Sequence, residues 1–179
     1  MSEVPEARMV ETDAGLVPEG DGWFVVNARE ALWQEGTFGA YTRFEGEARF
    51  PRLGINLSVL PPGTAACMYH GEDEQEDFLV LAGECLLLVE GEERRLRAWD
   101  FVHCPAWTEH VFVGSGERDC LILAVGTRTE GSGVVYPVSE LALRHGAGVE
   151  REATSGAEAY AGVPDDTPTR ARPGWLPDF

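Results

Sequence analysis

The stretch Tyr-His-Gly-Glu-Asp-Glu-Gln-Glu-Asp at residues 69–77, followed by the apolar run Phe-Leu-Val-Leu at 78–81, decides the fold. It places one imidazole and several carboxylates at the start of a buried strand. His70 and Glu72 are two residues apart, so in an extended segment their side chains share one face. Glu76 follows after room for a turn. Imidazole and carboxylate groups that converge on one face are typical ligands of a divalent metal.

Short strands punctuated by glycine and proline extend to both sides of this stretch. Residues 53–59 alternate strictly between apolar and small or polar positions, and a Pro-Pro-Gly turn follows at 61–63. Five further segments have strand patterns, at 85–89, 94–97, 101–104, 110–113 and 120–125. Many short strands at close, even spacing predict an all-β sandwich or barrel rather than an α/β fold.

The flanks divide the chain into three predicted parts. Residues 1–36 are expected to be an N-terminal arm, with a short strand at 22–26 and a helix over 28–34 capped by Asn27. The β-barrel is expected over 37–136.

Residues 137–179 are expected to form short peripheral helices and a proline-rich tail. Ser139 can cap a helix over 140–144, and a second short helix fits 157–160. Trp175, Leu176 and Phe179 interrupt the prolines of the tail. Because a disordered tail would lack such anchors, this one is expected to pack extended on the barrel or on a partner subunit.

Composition narrows the classes of function. With 44% hydrophobic and 25% charged residues, the chain has the balance of a soluble globular protein. Its net charge is −17, and all 14 basic residues are arginine. Such a surface repels nucleic acid and anionic membranes, so neither is expected as a partner, although one local arginine can still attract an anionic substrate. No apolar run is long enough to span a membrane and residues 1–6 lack a secretory pattern, so a cytoplasmic location is expected.

The cysteines are expected to be structural. They are widely spaced and form no Cys-x-x-Cys pair. A buried free thiol in an apolar strand behaves as a small hydrophobic residue, and none is expected to be a nucleophile. The four are Cys67, Cys85, Cys104 and Cys120.

Two motifs in residues 53–126 resemble those of small single-domain cupins. The first cupin motif has a glycine, a His-x-His pair, a glutamate three or four residues on and a glycine seven after that; here it is similar to residues 63–83. The second has a Gly-Asp turn and then Pro-x-Gly-x-x-His; here it is similar to residues 99–110. Trp99 and Trp107 stand where that motif has glycine. The resemblance implies a double-stranded β-helix, a jelly-roll barrel with a metal in its interior.

The resemblance also implies a ligand set. A strict count from Gly63 puts Tyr69 and Gly71 at the His-x-His positions and supplies no ligand there. One extra residue after Gly63 instead gives His70 as the first histidine and Glu72 in place of the second. Glu76 and His110 then match the remaining ligands. This set of two histidines and two glutamates favours a divalent cation, with Zn, Mn and Fe all suitable.

Each ligand also has an ordinary structural interpretation. The acidic residues 72–77 suit a solvated turn, and a lone His70 or His110 suits a strand end or a satisfied core position. Pocket-lining roles are further predicted for four residues: Trp107, Tyr69, His103 and Asn56. Tyr41 and Arg43 can also reach the barrel interior from earlier strands.

Three functions fit this pattern. The resemblance implies a metal-dependent dioxygenase, decarboxylase, isomerase or epimerase that acts on a small molecule, with its catalytic residues unassigned. A non-catalytic small-molecule-binding protein and a structural cupin dimer with weak or no metal are the alternatives. Exposed strand edges of such a barrel usually find a partner, so a homodimer is expected.

Overall fold

The computed structural model describes residues 3–178 and is built almost entirely of antiparallel β-strands. A seven-stranded sheet has the order β10-β7-β12-β5-β4-β3-β14, and a three-stranded sheet has the order β11-β8-β9. The ribbons β1-β2 and β13-β6 complete the strand pairing. The strands are β1 Arg8–Thr12, β2 Gly15–Glu19, β3 Leu32–Gly36, β4 Gly39–Thr42, β5 Leu53–Leu60, β6 Gly71–Glu72, β7 Glu76–Ala82, β8 Glu84–Val89, β9 Glu92–Arg97, β10 Phe101–Cys104, β11 His110–Ser115, β12 Cys120–Thr127, β13 Val134–Val135 and β14 Thr167–Arg170. The all-β barrel predicted from the sequence is confirmed.

The main core lies between the seven-stranded and three-stranded sheets. Its buried side chains come from alternate positions of β5, β7, β8, β10, β11 and β12, as a strand that faces a core on one side requires. They are Leu60, Phe78, Val80, Cys85, Leu87, Cys104, Phe112, Cys120 and Ile122. Cys85, Cys104 and Cys120 are buried and Cys67 is partly buried; all four are free thiols, as expected.

Two short helices flank the barrel, as predicted. The first, α1, spans Glu140–Arg144, and the Ser139 hydroxyl accepts a hydrogen bond from the backbone N–H of Ala142. The second, α2, spans Gly156–Ala159 and is capped in the same way by Ser155. In residues 3–178, no helix is long and apolar enough to cross a membrane.

The helix predicted over residues 28–34 is wrong. One turn forms, in which the backbone N–H groups of Glu30 and Ala31 both donate to the carbonyl oxygen of Asn27. The chain then enters β3, which pairs with both β4 and β14. A single helical turn is weakly favoured on its own, so pairing on both edges of β3 outweighs it. The seven-stranded sheet therefore continues across the predicted boundary at residues 36 and 37.

The rest of the N-terminal arm is also more ordered than its composition suggests. The strand expected at 22–26 is reduced to a single bridge between Trp23 and Glu6. In its place β1 and β2 form a hairpin, which reaches the sheet through a bridge between Leu16 and Ala31.

The tail packs on the barrel of its own chain. Its strand β14 extends the sheet beside β3, and the ring of Trp175 lies 5.3 Å from that of Trp33. The side chain of Arg172 forms an ion pair with Glu35, which lies on β3 with Trp33.

The two tryptophans that replace motif glycines keep a glycine-like backbone. Trp99 has φ 76° and Trp107 has φ 68°, both in the left-handed region that side chains disfavour. Gly83, which ends the first motif, has φ 73°, and a Cβ there would lie 2.4 Å from the carbonyl oxygen of Asp119. The motif therefore specifies backbone shape at these turns, even where tryptophan occupies the position.

Replacing Trp99 with glycine should stabilise the protein. Its side chain is 71% exposed, so little buried area is lost, while the left-handed strain of about 1 kcal/mol is relieved. Urea unfolding should show a higher midpoint for Trp99→Gly than for the native chain. Trp99→Ala removes the same ring but keeps the strain, so it should show no gain; equal midpoints for the two variants would contradict the explanation.

Candidate metal centre and cavity

Two histidines lie side by side at one end of the barrel interior. His70 precedes β6 and His110 begins β11, and a backbone bridge joins them. The N–H of His110 donates to the carbonyl of His70 at 2.8 Å, and the N–H of His70 donates back at 3.2 Å. This pairing sets the two imidazole centroids 5.3 Å apart.

A matching hydrogen bond orients each imidazole. His70 Nδ1 lies 2.8 Å from the carbonyl oxygen of Met68, and His110 Nδ1 lies 2.9 Å from that of Thr108. A carbonyl oxygen only accepts, so Nδ1 carries the proton in both rings and Nε2 keeps its lone pair. A ring nitrogen held in this way is the usual support of a metal-ligating histidine.

Two glutamates face these rings. Glu76 begins β7, and its Oε2 lies 3.4 Å from Nε2 of His110. One ligand atom from each of His70, Glu72 and Glu76 lies within 4.8 Å of the others. The structure therefore brings all four predicted ligands together, with His110 joined to the cluster through Glu76.

The electrostatics of the cluster suit a cation. Burial, and then the carboxylate of Glu72, raise the pKa of Glu76 to about 8. Burial and the neighbouring His70 lower the pKa of His110 to about 4, so this imidazole is neutral at neutral pH, as a metal ligand must be. In residues 3–178 no lysine or arginine forms an ion pair with Glu72 or Glu76. The donor set of two imidazoles and two carboxyl groups fits a divalent metal, which would take the place of the Glu76 proton.

The histidines open onto a cavity of about 390 Å³ inside the barrel. This volume suits a small molecule. The cavity is lined by Phe38, Tyr41, Arg43, Asn56, Ser58, Ala66, Cys67, His70, Glu76, Phe78, His110, Phe112, Ile122, Ala124, Tyr160 and Asp166.

Strand register arranges this lining into rows. Tyr41 on β4 lies opposite Ser58 on β5, which lies opposite Ile122 on β12. In a parallel row, Asn56 lies opposite Ala124, which lies opposite Phe78. Because these four strands are neighbours in one sheet, polar groups of β4 and β5 form one half of its cavity-facing surface, the polar wall, and apolar groups of β7 and β12 form the adjoining half, the apolar wall.

A row of glycines opens the barrel beside Glu76. Glu76 lies opposite Gly126 on β12, which lies opposite Gly54 on β5. Both glycines line a second cavity of about 380 Å³, which shares Arg43, Asn56 and Glu76 with the first. Because Glu76 lines both cavities, the cluster of candidate ligands borders each of them.

Comparison with known proteins agrees with this architecture. The sequence profile of the cupin domain family matches residues 56–126. The chain contains a cupin domain. No match is found among curated proteins.

Two solved cupin structures share the fold. A sugar phosphate isomerase of the cupin superfamily from Silicibacter pomeroyi is 21% identical, with a TM-score of 0.53 and coverage of 84% of this chain and 83% of that one. A Cupin 2 conserved barrel domain protein from Salinispora arenicola is 20% identical, with a TM-score of 0.50 and coverage of 62% and 92%. A protein from Acidithiobacillus ferrooxidans is 28% identical with a TM-score of 0.45; the alignment covers 46% of this chain and about half, 55%, of that one.

Of the four pocket residues predicted from the sequence, Asn56 lines the cupin cavity. The structure places the other three elsewhere. Tyr69 is buried in a separate core, where its hydroxyl accepts from the N–H of Gly91. His103 is half-exposed and pairs with Asp77 at 2.6 Å. Trp107 is 52% exposed, and its ring packs against Gly133.

The alternation of strand faces explains these misplacements. Tyr69 precedes His70 and faces the opposite side of the same extended segment. His103 lies opposite Asp77, the residue after Glu76, and so faces away from the interior.

Two cavity residues have no sequence signal. Tyr160 and Asp166 come from the C-terminal region, about 50 residues beyond His110. The Tyr160 hydroxyl accepts from the backbone N–H of Met68 at 3.0 Å, and the Tyr41 hydroxyl donates to Asp166 at 3.0 Å. Only the packing of the tail over the barrel mouth brings them there.

Proposed function

We propose that this cupin holds one divalent metal ion with His70, Glu72, Glu76 and His110 and binds a small molecule in the adjoining cavity. The observation that carries the proposal is the paired orientation of the two imidazoles. Both have Nδ1 committed to a backbone carbonyl and present Nε2 towards Glu76, which has no lysine or arginine ion-pair partner in the described part of the chain. Zn, Mn and Fe are the proposed metals, since the donor set mixes imidazole with carboxylate.

A purely structural role for these four side chains explains their arrangement less well than metal binding does. A Glu76–His110 hydrogen bond alone would satisfy two of the four groups. The carboxyl groups of Glu72 and Glu76 share a further hydrogen bond, which leaves Nε2 of His70 without a partner in the cluster. A metal ion uses all four.

The cavity supports binding of a small molecule next to the metal. A divalent metal there would polarise an oxygen atom of the bound molecule or acidify a water. The apolar wall of β7 and β12 limits solvent around it, and the polar wall of β4 and β5 offers hydrogen bonds that orient the molecule. Metal-dependent dioxygenase, decarboxylase, isomerase and epimerase reactions stay as proposed enzyme classes, with non-catalytic binding as the alternative.

Metal binding is tested by titration and elemental analysis. Metal-stripped protein should bind one equivalent of Mn²⁺ or Zn²⁺ by calorimetry, and His110→Ala should weaken that binding by at least about 100-fold, because it removes a ligand rather than a supporting group. His103→Ala is the matched control, because its exposed imidazole lies outside the cavity and should leave binding unchanged.

Two results would contradict the proposal. One is the absence of saturable binding to the native chain with both metals. The other is an equal affinity in the His110 and His103 variants, which would move the metal away from the barrel interior.

The homodimer and the cytoplasmic location stay predictions of the sequence. The division into an N-terminal arm, a barrel over 37–136 and a C-terminal region is likewise kept as a proposal, with β3 now assigned to the sheet of the barrel.

A further inference from the structure

The cavity beside the metal ligands contains one permanently cationic side chain. Of its lining residues, Arg43 is the only lysine or arginine. Its guanidinium carbon lies 4.9 Å from the centre of the Tyr41 ring, which directs it across the polar wall. The ion pairs in residues 3–178 engage other arginines, at positions 8, 29, 94, 128, 170 and 172. Arg43 is therefore available to a ligand.

The position of Arg43 links both cavities. It lines the barrel interior and also the second cavity beside Glu76. The other arginine of the second cavity, Arg128, is committed to Glu45 at 2.5 Å. Because Glu72, Glu74 and Glu76 also line the second cavity, a negatively charged ligand group is expected to reach Arg43 from the barrel interior.

Neighbouring groups on β5 complete a subsite for an anion. The Asn56 amide and the Ser58 hydroxyl line the same wall, and both can donate hydrogen bonds. The adjoining apolar wall contributes Ile122 and Phe78, and Phe112 on β11 comes from the three-stranded sheet; these side chains suit a flat apolar body. The polar, cationic groups of this wall therefore adjoin the candidate metal ligands, since Arg43, Asn56 and Glu76 line both cavities.

Asp166 is the one carboxylate at the Arg43 end of the cavity. It accepts a hydrogen bond from the Tyr41 hydroxyl at 3.0 Å and forms no ion pair with Arg43. A cationic ligand drawn to Asp166 is therefore the competing outcome that an experiment has to separate.

We propose that the cavity selects small organic anions, with the carboxylate or phosphate group of the ligand bound by Arg43 and the body lying against the apolar wall. This inference rests on the proposed function, since the same cavity ends at the metal ligands. Guanidinium groups bind both anions through paired hydrogen bonds, so the chemistry shared by the two is an oxyanion.

Four probes with one aromatic body test the head group. Benzoate and phenyl phosphate carry an anion, benzamide is a neutral isostere of benzoate, and benzylamine carries a cation. Each is titrated by calorimetry at constant ionic strength, into the full chain with and without Mn²⁺. We expect at least one anion to bind with a dissociation constant below about 10 mM, and benzamide and benzylamine to bind about 10- to 100-fold more weakly.

Two arginine variants of equal charge locate the anion. Arg43→Gln should weaken binding of the anionic probe by about 10- to 100-fold, the size expected for losing a charged hydrogen bond. Arg95→Gln makes the same change on the exposed strand β9, outside the cavity, and should leave affinity unchanged. Arg43→Lys keeps the charge without the planar fork and should bind with intermediate affinity. The affinities for benzoate and phenyl phosphate, compared with each other, then show which oxyanion the site prefers.

Several outcomes would overturn the inference. Tightest binding of benzylamine would assign the cavity to cations through Asp166. Benzoate binding that requires Mn²⁺ and is unchanged in Arg43→Gln would place the carboxylate on the metal. Absence of anion binding up to about 10 mM would also overturn it. In each case the titration of metal alone decides the proposed function separately, because it involves neither Arg43 nor a probe.

Discussion

Glu76→Gln is expected to weaken Mn²⁺ binding by at least about 100-fold and, at the same time, to stabilise the metal-free chain in alkaline solution. The two effects have opposite signs because Glu76 is a proposed metal ligand, whereas in the metal-free chain its buried negative charge destabilises the fold. An amide keeps the shape of the side chain and removes its charge. Calorimetry with Mn²⁺ measures the first effect, and urea unfolding in the presence of a chelator measures the second.

The alkaline gain follows from the pKa of Glu76. In the unfolded chain this carboxyl has its ordinary value of 4.5, whereas in the folded chain burial and Glu72 raise it to about 8. Between these values the folded state binds more protons, so the free energy of unfolding falls as pH rises. The contribution is fully present below the lower value and lost above the higher one. The amide of Glu76→Gln does not titrate, so this variant should gain on the order of 2 kcal/mol over the native chain above about pH 8.

Glu74→Gln is the matched control for this experiment. Glu74 is nearly buried in the same acidic stretch, but hydrogen bonds from Thr127 and Thr129 lower its pKa. A depressed pKa means that ionised Glu74 stabilises the fold above its ordinary value and that this is lost as pH falls. The Glu74 variant should therefore lose stability in alkaline solution and keep its Mn²⁺ affinity. Two results would contradict the assignment of Glu76 as a buried metal ligand. One is a native Mn²⁺ affinity in Glu76→Gln, and the other is no gain in stability of its metal-free form in alkaline solution.

The barrel strands could be predicted because their signals are local. Residues 53–59 alternate, and the segments from 78 to 125 are short runs near glycine or proline, apolar except for the arginine-rich 94–97; the structure has strands at each of them. The failures lie in the N-terminal 36 residues. There a capping asparagine and a helix-compatible run produce only one helical turn. The residues after this turn form β3, because they pair with β4 and β14. Such pairing joins residues more than 130 positions apart, as Leu32 and Arg170 show, and no local pattern encodes it.

In the candidate site, too, local sequence patterns predict some residues, and tertiary packing places the others. The sequence predicts His70, Glu76 and His110 as ligands because they stand at motif spacings. It predicts Glu72 because this residue lies two positions from His70. The structure places their ligand groups around one space. The far wall of the cavity depends on the tail, which brings Tyr160 and Asp166 over the barrel mouth. Trp107 stands at a motif position, but its left-handed backbone directs the ring outward, which residue type alone does not reveal.

Trp175→Ala is expected to lower the free energy of unfolding by about 3 kcal/mol. The Trp175 side chain is only 8% exposed, packs on the fully buried Trp33 and lies under the guanidinium of Arg172. Truncating it removes a large apolar contact and leaves a cavity above Trp33 that the rigid sheet does not fill.

Trp23→Ala is the control for this change, because the same residue type is 53% exposed there and should cost no more than about 0.5 kcal/mol. Urea unfolding measures both variants. Limited proteolysis should cut the tail faster only in Trp175→Ala, because Trp175 anchors the segment that follows β14. Mn²⁺ affinity should stay at the native value in both, since the ligands lie on or beside β6, β7 and β11. Equal stability of the two variants would show that the tail packs without anchoring the fold, and loss of Mn²⁺ binding in Trp175→Ala would show that the metal centre depends on it.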